Sequence, residues 1–241
     1  TTGFVTSVDG AGSSLTVSEY FRLGAGGVDG VALEITDDAA VSIGGGEFDG
    51  GIVVDGTDST FSASNHVRIG QWEQGLLEIT GGGSVTMVGA QLSGEITIDG
   101  VGSDAVASSL RFTDWGDFSG SELAITNGGR LVSDFELDLL EDTVVTIDGT
   151  GSVLTCGESV WIEDVAEVEI TNGGRFTTVE LLIDEESSVT VGAGGTFEVS
   201  GNLYVLNASG LVLESGSVSS IDGEMKLMSS YLSMGNVTIS P

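Results

Sequence analysis

The chain has few of the residues on which disulfides, metal clusters and nucleic-acid binding depend. Its 241 residues include one cysteine, one histidine and only six lysines and arginines. Cys156 alone cannot form an intrachain disulfide, and neither it nor His66 can build a cysteine- or histidine-based metal cluster. Against the six cations stand 37 Asp and Glu residues, which gives a net charge of −31. We therefore expect no nucleic-acid partner, because binding a polyanion requires cations that replace its counterions.

Long apolar runs and proline are also scarce. No segment approaches the roughly 18 apolar residues of a membrane span, so we expect no membrane insertion. Pro241 is the only proline, and no segment shows a sustained helical pattern of apolar residues. By contrast, 39 glycines and a hydrophobic fraction of 40% indicate many tight turns between short strands that can fill a core. The composition therefore predicts an all-β protein.

Two sequence signatures recur with the same period. The first is an apolar-Asp-Gly-x-Gly/Asp-Ser turn whose four aspartates are 46, 44 and 49 residues apart. The second is an apolar-x-Ile-Thr strand followed by a glycine-rich turn, and its isoleucines, between copies of the first, are 44, 46 and 45 residues apart. Asp and Asn cap local backbone groups and tolerate positive φ, so a structural turn role is expected for the polar residues of both signatures. These residues are Asp9, Asp55, Asp99, Asp148, Asn127 and Asn172.

Within each period, apolar and polar residues alternate over short runs, which is strand periodicity. The fourth copy contains six such strands between residues 145 and 183. We divide each repeat of about 45 residues into two coils of three strands. This predicts a single-stranded right-handed parallel β-helix, a β-solenoid, whose coils stack about 4.8 Å apart. A β-propeller, which also repeats at about 45 residues, is the alternative, although its blades normally have four longer strands.

The prediction treats residues 1–241 as one elongated domain. Its repeats cover approximately residues 5–51, 52–95, 96–143, 144–188 and 189–240.

The two signatures together resemble a known class of repeats. Residues 145–152 read Val-Thr-Ile-Asp-Gly-Thr-Gly-Ser, and residues 168–175 read Val-Glu-Ile-Thr-Asn-Gly-Gly-Arg. This alternation resembles the PEP-CTERM-associated repeat and the related repeats of autotransporter passenger domains, over about residues 5–218. The first and fifth copies depart most from the pattern. The resemblance implies a secreted bacterial surface protein with a β-helical stalk, and it brings no catalytic residues.

We accordingly expect an extracellular structural or adhesive module rather than an enzyme: a stalk, or a subunit of a surface layer or filament. The first residues are already strand-like and Tyr231 to Ile239 still alternate, so neither end has an obvious polar cap. Uncapped solenoid ends favour head-to-tail self-association. Other surface proteins or glycans are the remaining expected partners.

The competing hypothesis is a β-helix protein that binds carbohydrate or hydrolyses polysaccharide along its long side. Trp72, Trp115 and Trp161 are the candidate glycan contacts, and the alternation around Trp161 predicts that it points outward. Asp114 and Asp117, beside Trp115, are the best candidates for the two carboxylates that glycoside hydrolysis requires. A close pair carries little weight, however, in a chain with 37 carboxylates.

No cofactor is required by any motif, but calcium is an open alternative. Calcium takes six to eight oxygen ligands, which clusters of carboxylates can supply in part. The weak candidates for such a site are Asp37, Asp38, Asp138, Glu141 and Asp142. Because the chain has no EF-hand loop or nonapeptide calcium repeat, we prefer to explain these residues as a solvated acidic surface.

Overall fold

The described part of the chain consists of short strands joined by turns. The computed structural model describes residues 5–24, 31–71, 74–113 and 120–235, together with the backbone of 238–240. Glycine, aspartate and asparagine separate runs in which apolar and polar residues alternate, so each run forms a strand with one buried side. Within these residues there is no helix, and hence none that is long and apolar enough to cross a membrane.

The strands, in chain order, are β1 (Thr6–Asp9), β2 (Ser14–Leu23), β3 (Val31–Thr36), β4 (Ala40–Phe48), β5 (Gly51–Asp55), β6 (Thr60–Ile69), β7 (Gly75–Thr80), β8 (Ser84–Leu92), β9 (Gly94–Asp99), β10 (Asp104–Phe112), β11 (Glu122–Thr126), β12 (Arg130–Leu139), β13 (Val144–Asp148), β14 (Val153–Cys156), β15 (Ser159–Ile162), β16 (Glu167–Thr171), β17 (Arg175–Thr178), β18 (Glu180–Ile183), β19 (Ser188–Val191), β20 (Thr196–Val199), β21 (Leu203–Leu206), β22 (Gly210–Leu213), β23 (Val218–Ile221), β24 (Met225–Met228), β25 (Tyr231–Met234) and β26 (Thr238–Ser240).

The strands stack in parallel as a β-solenoid, as the repeat predicts. Face 1 is a sheet of 11 strands in the order β1-β3-β5-β7-β9-β11-β13-β16-β19-β22-β25, with one strand from each turn. Nine of these strands have a neighbour on both sides, and the first and the last have one neighbour each. The prediction of about ten coils is therefore close to the observed number. The strands of face 1 also follow one another in sequence order, without any change of order.

Two further faces follow face 1 in the first ten turns, and in the described part of the last turn only the second face follows, through β26. The long strand β12 shows how they divide: Arg130–Ser133 pair with β14, and Glu136–Leu139 pair with β15. Face 2 therefore contains the first halves of the long even-numbered strands followed by β14, β17, β20, β23 and β26, and face 3 contains the second halves followed by β15, β18, β21 and β24. The three-strand coil predicted for the fourth copy is confirmed at β13, β14 and β15. In the first six turns, the second and third strands instead run together as one bent strand.

The core is a column of inward side chains rather than a compact centre. Along face 1, Leu123, Val145 and Val168 occupy one inward row, with each residue the Cα partner of the next, and all are at most 1% exposed. Phenylalanines continue the column elsewhere, for example Phe176 and Phe197, whose ring centroids lie 5.8 Å apart. Fully burying an aliphatic side chain stabilises a fold by about 1.5–3 kcal/mol. Each turn gains this energy only through its neighbours, because its inward row is covered by the turns above and below it.

The corner between faces 1 and 2 explains why the sequence repeats every two turns. It alternates between an aspartate corner and a threonine corner, and each threonine hydroxyl donates a hydrogen bond to the aspartate of the preceding turn. The four pairs are Thr36 to Asp9 (2.7 Å), Thr80 to Asp55 (2.6 Å), Thr126 to Asp99 (2.5 Å) and Thr171 to Asp148 (2.6 Å). In the last two pairs, the neighbouring side-chain amides of Asn127 and Asn172 donate to the same carboxylate oxygens at 2.6 and 2.7 Å. The structural role predicted for these turn residues therefore includes a direct clamp between successive turns.

The close approach of successive turns at these corners also explains why one position of the Asn-Gly-Gly sequence must be glycine. A Cβ atom at Gly174 would collide with the carbonyl oxygen of Ile147 in the preceding turn. Gly174 is therefore required by the close approach of two backbones, whereas Gly173 before it adopts a positive φ of 94°.

Candidate functional site: the outward row of face 3

One outward row on face 3 collects residues of unusual chemistry for this chain. In each of the first ten turns, one residue between two apolar or small residues points away from the core, because successive strand side chains alternate between faces. Its members are Cα partners from turn to turn. This face-3 row consists of Arg22, Glu47, Arg68, Gln91, Arg111, Asp138, Trp161, Leu182, Tyr204 and Lys226.

The face-3 row contains four of the six cationic side chains of the whole chain, Arg22, Arg68, Arg111 and Lys226. With Glu47 and Asp138 as its only carboxylates, the row is net positive, although the chain carries −31. The other two cations, Arg130 and Arg175, begin strands on face 2, where they pair with Asp104 at 2.8 Å and Glu198 at 2.5 Å. The cations are therefore concentrated along one line of the surface.

In the middle of the row, charged and amide side chains bind one another between adjacent turns. Arg68 donates from Nε to Oε1 of Gln91 at 3.2 Å, and a ring nitrogen of His66 lies 3.4 Å from the same oxygen. Nε of Arg111 lies 3.8 Å from a carboxylate oxygen of Asp138, and the Arg111 side chain is 49% exposed. Burial raises the pKa of Asp138, Glu136 adds to this shift, and Arg111 opposes it. These pairs hold planar donors and acceptors side by side while leaving them accessible to solvent.

A shallow depression of about 180 Å³ lies over this middle segment. Its polar lining consists of His66, Gln91, Ser109, Arg111, Glu136 and Asp138. It is open along the surface, and it places donor and acceptor groups from four successive turns around one concavity.

In the next three turns, the residues of the face-3 row are apolar or aromatic. Trp161, Leu182 and Tyr204 follow one another in register, and Trp161 is 44% exposed. They line a second shallow depression of about 210 Å³ together with Ser159 and Glu180. An indole, an aliphatic side chain and a phenol thus form a continuous platform with polar groups at its edge.

At the other end of the row, Arg22 is held by two buried carboxylates. It lies 3.5 Å from both Glu47 and Asp49, and the Tyr20 hydroxyl donates to Glu47 at 3.1 Å. Asp49 is 1% exposed, and neither of its carboxylate oxygens accepts a hydrogen bond within the described part. Burial raises the pKa of Asp49, whereas Arg22 lowers it. Arg22 is consequently the counter-charge of a buried acid and is fixed in position.

The candidate calcium ligands are distributed over three places. Asp37 and Asp38 form a corner with positive φ, and the Asp38 amide donates to the hydroxyl of Ser59. Asp138 belongs to the face-3 row, and Glu141 and Asp142 lie in the following corner. Nowhere in the described ranges do three or more His, Cys, Asp or Glu residues form a group that could hold a metal ion. The weak calcium candidates are therefore not assembled into a site in these ranges.

The corner between faces 3 and 1 carries a second line of acidic side chains. Asp164 and Glu185 lie there in successive turns, and a hydrogen bond between their side chains raises the pKa of Glu185. Beside them, burial and the charge of Asp184 raise the pKa of Glu163. Repulsion among these carboxylates therefore favours the protonated forms of Glu163 and Glu185, and the charge of Arg111 opposes the shift of Glu163.

The remaining predicted residues divide between the described and undescribed parts of the chain. Trp161 points outward on face 3, as its alternation predicts. Trp72 and Trp115, and the carboxylates Asp114 and Asp117, lie outside the described residues.

The single cysteine and the single histidine have local partners. Cys156 is buried, and burial raises the pKa of its thiol. His66 is exposed, where it contacts Gln91.

Most of the face-3 row was not predicted from the sequence, although a signal for it exists. Each member stands between two apolar or small residues, as in Val67-Arg68-Ile69 and Leu110-Arg111-Phe112, and the triplets recur about once per turn. The spacing varies between successive triplets because the turns between strands differ in length, which hides the alignment until the register is known.

Comparisons with known proteins identify no relative of this chain. No family model matches it, and neither a curated protein nor a solved structure does so.

Proposed function

We propose that the protein is an extracellular structural module, a stiff β-solenoid that serves as a stalk or as a subunit of a surface layer or filament. The observation that carries this proposal is the unbroken order of face 1, in which 11 strands follow one another in sequence order. At about 4.8 Å per strand, the stack extends over about 48 Å. Stacking copies of such a module would extend the same ladder, which suits a filament or a stalk.

The connections between turns support a rigid rod. Every interior turn shares its inward row and its backbone hydrogen bonds with two neighbours, and the aspartate clamps add side-chain bonds at one corner. Bending the rod would open these bonds on one side and compress the core on the other, and densely packed cores resist such deformation. The charge of −31 also keeps rods soluble through mutual repulsion.

Spin-label distances test the rigidity directly. Ala11 and Ala193 are both exposed in the face 1–2 corner, eight turns apart. With cysteine labels at both positions in a Cys156→Ser background, we expect one narrow distance distribution near 38 Å, from about 4.8 Å per turn. Labels at Thr57 and Ala193, six turns apart, should give about 29 Å in the same way. Broad distributions, or distances that do not scale with the number of turns, would contradict a stiff rod.

A further inference from the structure

We propose that the face-3 row binds an extended strand of a neutral polysaccharide that lies parallel to the solenoid axis. This inference goes beyond the structural role, because a rod needs no ordered line of aromatic, amide and guanidinium groups along one face. It commits to a ligand class and to a direction of binding.

The geometry of the row suits a linear polymer. Ten residues project at successive strand positions, so the row extends over about 43 Å at about 4.8 Å per strand. A sugar ring in an extended polysaccharide advances by a distance similar to the spacing between strands. A strand laid along the axis would therefore meet roughly one outward side chain per ring, with the two depressions of about 180 and 210 Å³ on its path.

The apolar segment provides a surface for the ring faces. A pyranose ring has a face of C–H groups, which packs against an aromatic or aliphatic surface while its hydroxyls point sideways. Trp161, Leu182 and Tyr204 form such a surface over three turns, and Glu180 and Ser159 at its edge can bond the hydroxyls. What distinguishes Trp161, 44% exposed, from singly exposed aromatic residues is that Leu182 and Tyr204 continue it as one contiguous surface.

The polar segment provides paired donors and acceptors. Arg68 lies beside Gln91, and Arg111 lies beside Asp138, so each adjacent pair presents N–H donors next to an oxygen acceptor. Neighbouring hydroxyls of a sugar both donate and accept, and planar guanidinium, amide and carboxylate groups can contact two of them at once. Because these side chains already hold one another in place, less side-chain freedom is lost on binding.

The charge of the face favours a neutral strand over a polyanion. The row has four cations and two carboxylates, but the neighbouring outward column contributes the carboxylates of Glu136, Glu180 and Glu224. These charges nearly cancel, and the surrounding surface of a chain that carries −31 repels anionic polymers at long range. A neutral polysaccharide avoids this repulsion and can use every hydrogen-bonding group of the row.

A binding panel tests the proposal. The protein is incubated with immobilised xylan, cellulose, β-1,3-glucan and mannan, and in parallel with polygalacturonate and dextran sulfate as anionic arms. We expect at least one neutral polysaccharide to retain the wild-type protein, and the anionic arms to retain it less. Retention by no neutral polysaccharide, or stronger retention by the anionic ones, would overturn the proposal.

Matched variants locate the binding surface. Trp161→Ala and Arg111→Ala should each weaken binding to the retained polysaccharide about tenfold in Kd. Phe135→Ala removes a 54%-exposed aromatic outside the row, and Arg175→Ala removes a face 2 cation, so both controls should bind like the wild type. Unchanged melting of all four proteins shows that the folds are intact. Equal losses in the controls and the row variants would refute the assignment to face 3.

Ligand length tests the direction of binding. We expect the affinity of oligosaccharides prepared from the retained polysaccharide to rise from the dimer to the tetramer, hexamer and octamer, because a strand along the axis reaches further turns. A plateau at the dimer would show a single local subsite and would overturn the extended binding mode. The spin-label distances are independent of this result, so failure of glycan binding and failure of the rod are distinguishable.

Discussion

Replacing Asp148 with alanine removes the side-chain acceptor that ties the seventh turn to the eighth. One oxygen of Asp148 accepts the hydroxyl of Thr171 at 2.6 Å and the amide of Asn172 at 2.7 Å. These two bonds hold the pKa of Asp148 below its usual value, because they stabilise the ionised form. The variant should therefore unfold more readily than the wild type at neutral pH.

The expected loss follows from the two bonds and their partial exposure. A hydrogen bond contributes about 0.5–1.5 kcal/mol net, and a charged acceptor strengthens it, whereas solvent around this corner weakens it. We expect Asp148→Ala to lower the free energy of unfolding by about 2 kcal/mol, or about 1 kcal/mol per bond. Asp148→Asn retains an acceptor oxygen without the charge, so its loss should be about half as large.

Urea unfolding followed by far-ultraviolet circular dichroism measures these losses. Removing a carboxylate from a chain of charge −31 also relieves repulsion, so the matched control is Glu169→Gln, an exposed carboxylate on face 1. The control should change stability by no more than about 0.5 kcal/mol. A loss in Asp148→Ala no larger than that of the control would refute the clamp.

The pH dependence supplies a second check of the same bonds. A carboxyl group whose pKa is lowered by folding stabilises the fold fully above its unfolded value of 3.8. This contribution disappears as the pH falls through the lowered folded pKa. The difference between the wild type and Asp148→Ala should therefore shrink in acid, and a constant difference would show that the lost bonds do not involve the carboxylate.

Three further predictions follow from other parts of the solenoid. Phe176→Ala should cost about 3–5 kcal/mol in urea unfolding, because it empties a fully buried position against Phe197; the outward Thr177→Ala on the same strand is the control, and equal losses would contradict the columnar core. The pKa of Glu163 is raised, so protonation stabilises the fold below 4.5 and this contribution is lost as the pH rises through the raised pKa; melting should occur at higher temperature at pH 5 than at pH 8, and Glu163→Gln should flatten this profile. Calcium chloride and magnesium chloride at equal concentration should shift the melting midpoint about equally if both ions act only through diffuse attraction to a chain of charge −31; a larger shift with calcium, reversed by EDTA, would show a calcium-selective site.

The solenoid was predictable because two different sequence signatures repeat with the same period. The aspartate turns and the Ile-Thr strands keep the same period independently, and the strands of the fourth copy were located to within about one residue. The merging of the second and third strands in the first six turns was not predictable. The bend of β12 between Ser133 and Glu136 has no glycine or proline to mark it, whereas the bend of β4 falls on glycines 44–46, so the sequence carries no common signal for it.

The face-3 row was less accessible to sequence reasoning than the fold. Trp161 was found because a tryptophan between two aliphatic residues is conspicuous. Arg68 and Arg111 were not connected with it, because they stand 43 residues apart in the chain and only the strand register places them in one row. Turn lengths set that register, and they differ from one coil to the next.

The alternating corner has a consequence for how such a chain can change in length. If one turn were duplicated or lost, an aspartate would meet an aspartate, or a threonine a threonine, where donor and acceptor now alternate. Gain or loss of two turns preserves every partnership. Between residues 9 and 171, only the gain or loss of two turns therefore leaves each aspartate with a threonine donor. Beyond residue 191, Gly192 and Glu214 occupy this corner, so single turns could be gained or lost there without breaking such a pair.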